Sequence, residues 1–525
     1  MSSFTGTWQL TRLILRRDRI RLPIWIVSLG ALTGATALLV PGLYTTPEAV
    51  AGYARVADSA ATRLLSGRPD GLDNVGAITS YEVSVTGLIA IALMVIFLVV
   101  RHTRAEEEAG RAELLRATVL GRHAGTAAAM IVATAASLVL GVVDAVLLVV
   151  GDLEVAGSVL HGATFAATGL VFTAVAAVTA QITVSARSAR GMAGAVLAVL
   201  FVVRGIGDVA ENALTWLSPL GWALMAQPYG AARWWVLVPL VLLAAVLFLL
   251  AAWLTAHRDT GGGLLHPRPG PERARPSLST GVGLAWRLQR GSVVGWAVGL
   301  VLFGALAGTV GPEVNEMLES NPELQQFFAL TGGSPADAFL ATMFALMAVA
   351  VAGYSVASVN RLHSEEAAGR AEALLSTGLS RSRWAVGSLT VTLVTTVGLM
   401  VLGALAAAIG FWLTGAESAG FGRIVAAGVV QVPGTLVLAG IAVLLTGWWP
   451  RRTLASYALV AWVFVQVYLS ALLKFPDWLN ALSPYDHLPL MPVEPFAAVP
   501  TFTVLALALA LAVLGVMGLR RRDVA

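Results

Sequence analysis

Residues 104–122 read R-A-E-E-E-A-G-R-A-E-L-L-R-A-T-V-L-G-R, and residues 363–381 read H-S-E-E-A-A-G-R-A-E-A-L-L-S-T-G-L-S-R. The two align without a gap. Glu106 falls on Glu365, Glu107 on Glu366, Gly110 on Gly369, Arg111 on Arg370, Glu113 on Glu372, Thr118 on Thr377 and Arg122 on Arg381. Each stretch is a charged island between long apolar runs. Each also reads as a short amphipathic helix: in the first copy Leu114, Leu115, Thr118 and Val119 can share one face, while carboxylates and arginines take the rest. A polar helix repeated at the same place in two halves of an apolar chain is expected to touch a soluble partner.

The sequence around the islands sets the class. The chain has 525 residues, 57% of them hydrophobic and 12% charged. Soluble proteins carry about 25% charged residues. Runs of roughly 20 apolar residues, each able to cross about 30 Å of hydrocarbon, recur throughout, so the expected fold is all-α and polytopic, in contact with membrane lipid. The absence of cysteine excludes disulfides, thiolate metal sites and cysteine nucleophiles. The net charge is only +4, Lys474 is the sole lysine, and no nucleic-acid partner is read from the charge.

In the first half, spans are expected at about 22–43, 83–100, 124–150, 159–184, 191–209 and 236–256. In the second they are expected at about 292–310, 338–359, 383–413, 424–447, 454–473 and 501–519. Arg12, Arg16, Arg17, Arg19 and Arg21 hold the N-terminus in the cytoplasm, and the arginine bias of the remaining loops places both termini there. The first run lacks a convincing small-residue cleavage site and is read as a retained span of a cytoplasmic-membrane protein. Outside lie a helix after Pro47, a stretch holding Trp216, Trp222, Trp234 and Trp235 that is expected to dip into the outer leaflet, and an acidic segment with Glu313, Glu316, Glu319 and Glu323. Residues 257–290, with G-G-G, Pro267, Pro269, Pro271 and Pro276, read as a flexible cytoplasmic linker between halves 1–256 and 291–525. Trp25 answers Trp296, Pro47-Glu48 answers Pro312-Glu313, Ser218-Pro219 answers Ser483-Pro484, and Arg258-Asp259 answers Arg522-Asp523. The expectation is two parallel six-span repeats about an axis along the membrane normal.

Ionisable groups inside the spans are few. Asp144 lies near the outer end of span 3, and Arg204 and Asp208, four apart on span 5, read as a self-neutralising pair. The second half has no counterpart to them, its spans holding only Gln431 and Gln466. His161 and His363 are single histidines without metal-site spacing, and no catalytic constellation is present. No G-x-x-x-x-G-K-[ST] occurs, so the chain is not expected to hydrolyse ATP itself by P-loop chemistry.

E-E-x-x-G-R-x-E-x-L between the second and third spans resembles the cytoplasmic coupling region of bacterial ABC-exporter permeases. The doubled length, the Arg/Pro linker and the second motif resemble the fused permeases of actinobacterial polyketide-antibiotic and multidrug exporters. The islands depart from related motifs in lacking a proline after the Leu-Leu pair. The resemblance implies a non-enzymatic subunit that effluxes amphipathic drugs. It also implies two separate ATPase subunits, which bind the ATP and Mg and dock on Glu106, Glu107, Gly110, Arg111 and Glu113 and on Glu365, Glu366, Gly369, Arg370 and Glu372. Spans 2, 5, 8 and 11 are then expected to line the substrate cavity, with Met94, Phe97, Phe201, Phe344, Met347, Tyr457, Phe464 and Tyr468 as candidate contacts, because methionine and aromatic side chains adapt to varied shapes. The competing reading is a major-facilitator secondary carrier, which also has twelve spans in two parallel repeats. Its signature, however, opens on glycine and aspartate in a loop of about ten residues, whereas here the carboxylates come first and the loop exceeds twenty. An intramembrane enzyme would want clustered His, Asp, Glu or Ser on one face, and the sequence offers none.

Overall fold

The computed structural model describes residues 2–111, 120–258, 262–264, 272–273, 276–319, 334–376, 379–414, 420–473 and 475–521, without the side chains of Val56, Ala60, Ala61, 312–319, Pro335 and 468–473. Among the described residues there is no strand, and eleven helical segments are long and apolar enough to cross a membrane. The protein is an all-α polytopic membrane protein. The remaining expected span, the eleventh, is a 20-residue helix, Leu454–Leu473.

Spans 1 to 6 are helices at Arg21–Leu43, Val75–His102, Ala124–Val150, Val155–Ile182, Ala186–Val209 and Leu237–Ala256. Several begin before the apolar run does, because a capping side chain sets the start. Asn74 accepts the Ala77 N–H at 2.9 Å and opens span 2 at Val75, and Ser185 accepts the Ser188 N–H at 3.1 Å and opens span 5 at Ala186. A helix follows Pro47 as expected, Pro47–Ala57.

In the second half, span 7 is longer than its apolar core, running from Gly281 to Glu319. Residues 281–290, expected in the linker, are its first turns. Ala285 and Gln289, one helical turn apart, are buried, while Trp286, Arg287 and Arg290 face outward, so the segment is an amphipathic helix rather than a flexible connector. Span 8 is Pro335–Ala367 and span 9 is Arg381–Leu413. Span 10 is broken into Phe421–Val429 and Val432–Trp448. Pro433 has no N–H to give and its ring would clash with the carbonyl of residue 429, so a single continuous helix is excluded. Span 12 is Ala498–Arg521.

Tertiary contacts divide the chain into two compact units, Met1–Gly270 and Pro271–Ala525. In the first, span 4 is the central helix, packed by spans 2, 3, 5 and 6. Spans 3 and 4 meet where a Cβ on Gly141 would lie 2.4 Å from the Gly162 carbonyl oxygen. Only glycine lets two backbones come that close, the usual basis of helix association in lipid. The neighbour pairs of the first unit (1 with 2 and 3, 2 with 3 and 4, 3 with 4, 4 with 6) recur in the second as 7 with 8 and 9, 8 with 9 and 10, 9 with 10, and 10 with 12.

Buried polar groups tie these helices together. Asp144 accepts a hydrogen bond from Thr33 at 2.9 Å, joining spans 3 and 1. The Arg204–Asp208 pair (3.1 Å) reaches beyond its own helix. Arg204 donates to the carbonyls of Leu64 and Leu65 at 2.9 and 3.0 Å, capping the C-terminus of the helix Ala60–Ser66, and Thr215 donates to Asp208 at 2.9 Å. The pair therefore ties the connection between spans 1 and 2 to the one between spans 5 and 6, at the end of the unit remote from the first island.

Candidate functional site

Both islands begin where a long membrane helix ends, and both turn on a glycine. Gly110 has φ 71° and Gly369 φ 70°, the left-handed region that closes helices. The Gly110 N–H donates to the Glu107 carbonyl at 3.0 Å and the Gly369 N–H to the Glu366 carbonyl at 2.9 Å. A Cβ added at either glycine would meet nothing within 4 Å, so the requirement is conformational, not one of close approach. The corner also corrects the expectation of one amphipathic helix per island. In the second copy Glu365 and Glu366 are the last turn of span 8, whereas Arg370 and Glu372 lie beyond the glycine on a separate short helix, Arg370–Leu375. In the first, span 2 ends at His102 and the carboxylates ride on a short helix of their own, Arg104–Glu108. Glu113 and the apolar face of Leu114, Leu115, Thr118 and Val119 lie outside the described residues.

The first corner is held by arginines. Glu107 receives a bidentate pair of hydrogen bonds from Arg258 at 2.7 and 2.8 Å and another from Arg104, and both guanidinium groups also donate to the Gly262 carbonyl, at 2.6 and 2.7 Å. Arg104 is 1% exposed and the Glu107 side chain 11%. Such buried, forked pairs are the strong form of the interaction. Glu106 is bound on one side by Arg17 at 3.0 Å and on the other by Arg111 at 2.8 Å. Glu108 accepts the Ala186 N–H at 2.8 Å, at the start of span 5, where helix-terminal amides favour an anion. Arg122 donates to the carbonyls of Thr255 and Arg258 at the end of span 6. Asp18 binds Arg101 at 2.7 Å and also His102. The corner is thus fastened to the N-terminal segment and to spans 2, 5 and 6.

The second corner is more open. Glu365 pairs with Arg370 at 2.6 Å, and that arginine is 60% exposed; Arg361 stands 3.8 Å away. Glu372, Ala367, Ala368 and Gly369 are exposed, while Ala371 is buried with Leu374 against Leu362, Trp384 and Leu519. Glu366 is 9% exposed, beside Arg381 and Arg520 in the wall of a small cavity.

The candidate substrate contacts differ in their burial within each unit. Met94, Phe344 and Met347 are sealed inside their own units at 1–2% exposure. Phe201 is half-buried under the Arg204 guanidinium, 4.8 Å from its ring centre. Phe97, Tyr457 and Phe464 are exposed, and the Tyr468 side chain lies outside the described residues. The arginine bracket around Glu107 is what sequence reasoning missed. Arg104, at i−3 from Glu107, was readable as a helix pair. Arg258, 151 residues away, gave no local signal.

Residues 278–520 match the family described as the C-terminal domain of the multidrug efflux system permease Rv1217c. Over 528 aligned residues the chain is 40% identical to the multidrug efflux system permease protein Rv1217c of Mycobacterium tuberculosis (strain ATCC 25618 / H37Rv), covering all of this chain and 96% of that protein. The chain belongs to this multidrug efflux permease family. A permease is a transport subunit, and the many spans set this one in the cell membrane.

Proposed function

We propose that the protein is the membrane-spanning subunit of an ATP-driven exporter of amphipathic drugs, with both permease halves in one chain and its termini on the cytoplasmic side. The observation that carries this reading is the glycine-closed acidic corner at the end of span 2 and again at the end of span 8. Two equivalent corners suit two copies of one soluble ATPase. The outward groups at each, Arg111 in the first and Arg370 and Glu372 in the second, suit docking against charged pockets. Glu106, Glu107 and Glu108 have another task in this account. They bind the corner to the N-terminal helix, to the start of span 5 and to the end of span 6, so that a displacement imposed by the ATPase reaches several helices together. Nucleotide binding would close the ATPase pair, move both corners and open the substrate path outward.

Affinity purification of the full chain from its own membranes tests the reading. A P-loop ATPase should be recovered with it, and Glu372→Arg should reduce that recovery. Purified chain without a partner should not turn over ATP. Recovery of no ATPase in any mild detergent or nanodisc preparation would sink the proposal.

A further inference from the structure

At the end of the first unit remote from its corner, spans 2 and 4, residues 66–72 and the loop preceding span 6 line a cavity. His161 stands in its wall, 1% exposed, with its ring against Phe165 at 4.5 Å between centres. Its Nδ1 lies 3.0 Å from the Ser80 hydroxyl, and its Nε2 has no partner among the described residues. The Ser80 hydroxyl has no other described acceptor, so it donates to Nδ1 and the ring proton sits on Nε2. The neighbouring hydroxyls are already used. Ser84 donates to the Ser80 carbonyl at 2.6 Å, Tyr81 to the Gly67 carbonyl at 2.8 Å, and Tyr229 shares a hydrogen bond with Ser158 at 2.8 Å. Nε2–H is the fully buried donor left over among the described lining residues. An orphaned buried donor costs stability unless something fills it.

The second unit lacks this arrangement, so the fold does not require it. There Tyr485 meets Thr435 at 3.2 Å, packed over Gly434, much as Tyr229 meets Ser158 over Gly157. In that register His161 falls on Leu438, and in the register of the islands Ser80 falls on Phe339 and Ser84 on Met343. Apolar side chains stand where the first unit has an imidazole and two hydroxyls.

We infer that this cavity is a binding subsite for the hydrogen-bond-accepting end of a neutral amphipathic molecule: a ketone, ester or ether oxygen on Nε2 of His161, with the apolar body against Phe165, Tyr81 and Tyr229. The inference rests on the export reading for its place in transport. About 25 residues of helix, on the order of 35–40 Å, separate Ser80 from the corner, so an exported molecule would occupy the subsite last.

Benzophenone is a suitable probe, because its carbonyl is an acceptor and, once irradiated, attaches to nearby C–H bonds. With the full chain in lipid nanodiscs, labelling should saturate and map to peptides holding residues 80–88 and 161–165. His161→Leu should lower that labelling about tenfold, and His161→Gln, which keeps a donor, should restore part of it. Ser84→Trp, which fills the cavity from the opposite wall, should abolish it. Melting curves and gel filtration confirm that each variant is folded. Unsaturable label spread over lipid-facing helices, or undiminished label in folded His161→Leu or Ser84→Trp, would overturn the inference. Labelling needs neither ATP nor a partner, so this result stands apart from the fate of the export reading.

Discussion

The two corners share a backbone and differ in what surrounds it. Both end a membrane helix, both reverse on a glycine near φ 70°, and both place two adjacent glutamates one turn before it. In the first corner those glutamates are enclosed by Arg17, Arg104, Arg111 and Arg258, and the corner is bound to three spans. In the second, Glu365, whose side chain is 15% exposed, pairs with an Arg370 that is 60% exposed, and Glu372 faces outward. The position of Arg104 is taken there by His363. The backbone turn is therefore the common element, while the arginines around it come from different places: Arg17, Arg104, Arg111 and Arg258 in the first corner, Arg361 and Arg370 about Glu365 in the second, where Glu366 lies buried beside Arg381 and Arg520.

Removing one member of a buried pair leaves its partners charged and uncompensated. Glu107→Ala should therefore lower stability by about 3–5 kcal/mol, as Arg104 and Arg258 lose their carboxylate. Glu365→Ala, whose close arginine partner Arg370 is 60% exposed, should lower the melting temperature less in the same nanodisc preparation. Equal shifts for the two variants would remove the distinction between the corners. The shared turn makes the next prediction. Gly110→Ala and Gly369→Ala should each cost about 1–2 kcal/mol, by similar amounts, since alanine is disfavoured at positive φ. Asparagine at either position should recover much of the loss, and a silent Gly369→Ala would show that the likeness is superficial.

Charge reversal beyond the glycine should act on assembly rather than folding. Glu372→Arg should leave the melting curve in place while weakening capture of the ATPase, and a large drop in melting temperature would recast Glu372 as structural. The smallest effect is expected at the exposed Arg63–Glu211 pair, at the end of the first unit remote from its corner. Hydrogen bonding to Arg63 holds the Glu211 carboxyl below the usual range. A depressed carboxylate stabilises the fold above its unfolded pKa, about 4.3, and loses that contribution as pH falls through the lower folded value. Glu211→Gln should thus differ slightly from the unmodified protein at neutral pH and converge with it in acid, as followed by melting against pH. Glu107→Ala should stand out against that baseline.

The span plan was legible because hydrophobic length in a bilayer is a strict requirement, and the islands were legible because charge is rare elsewhere in the chain. Hydropathy missed what polar side chains decide. Asn74 and Ser185 start helices before the apolar run does, and 281–290 is a helix because two buried positions four apart outweigh its arginines. The E-E-x-x-G-R pattern located the corners, yet the residue types alone could not say that Glu107 faces Arg258 rather than a partner, because that contact spans 151 residues. The aromatic and methionine candidates rest on residue type and span. Span does not say which side of a helix faces its own unit, and Met94, Phe344 and Met347 proved to be packed within theirs.

The central claim is that ATP consumed by a docked partner drives export through this chain. Proteoliposomes holding the full chain with its co-purified ATPase, loaded with a fluorescent amphipathic dye and with proton and sodium gradients collapsed by ionophores, test it directly. The account predicts dye movement that requires ATP and Mg, persists without ion gradients, and falls when Glu372 is reversed. Movement that follows an imposed proton or sodium gradient and ignores ATP would contradict it and return the chain to the secondary carriers.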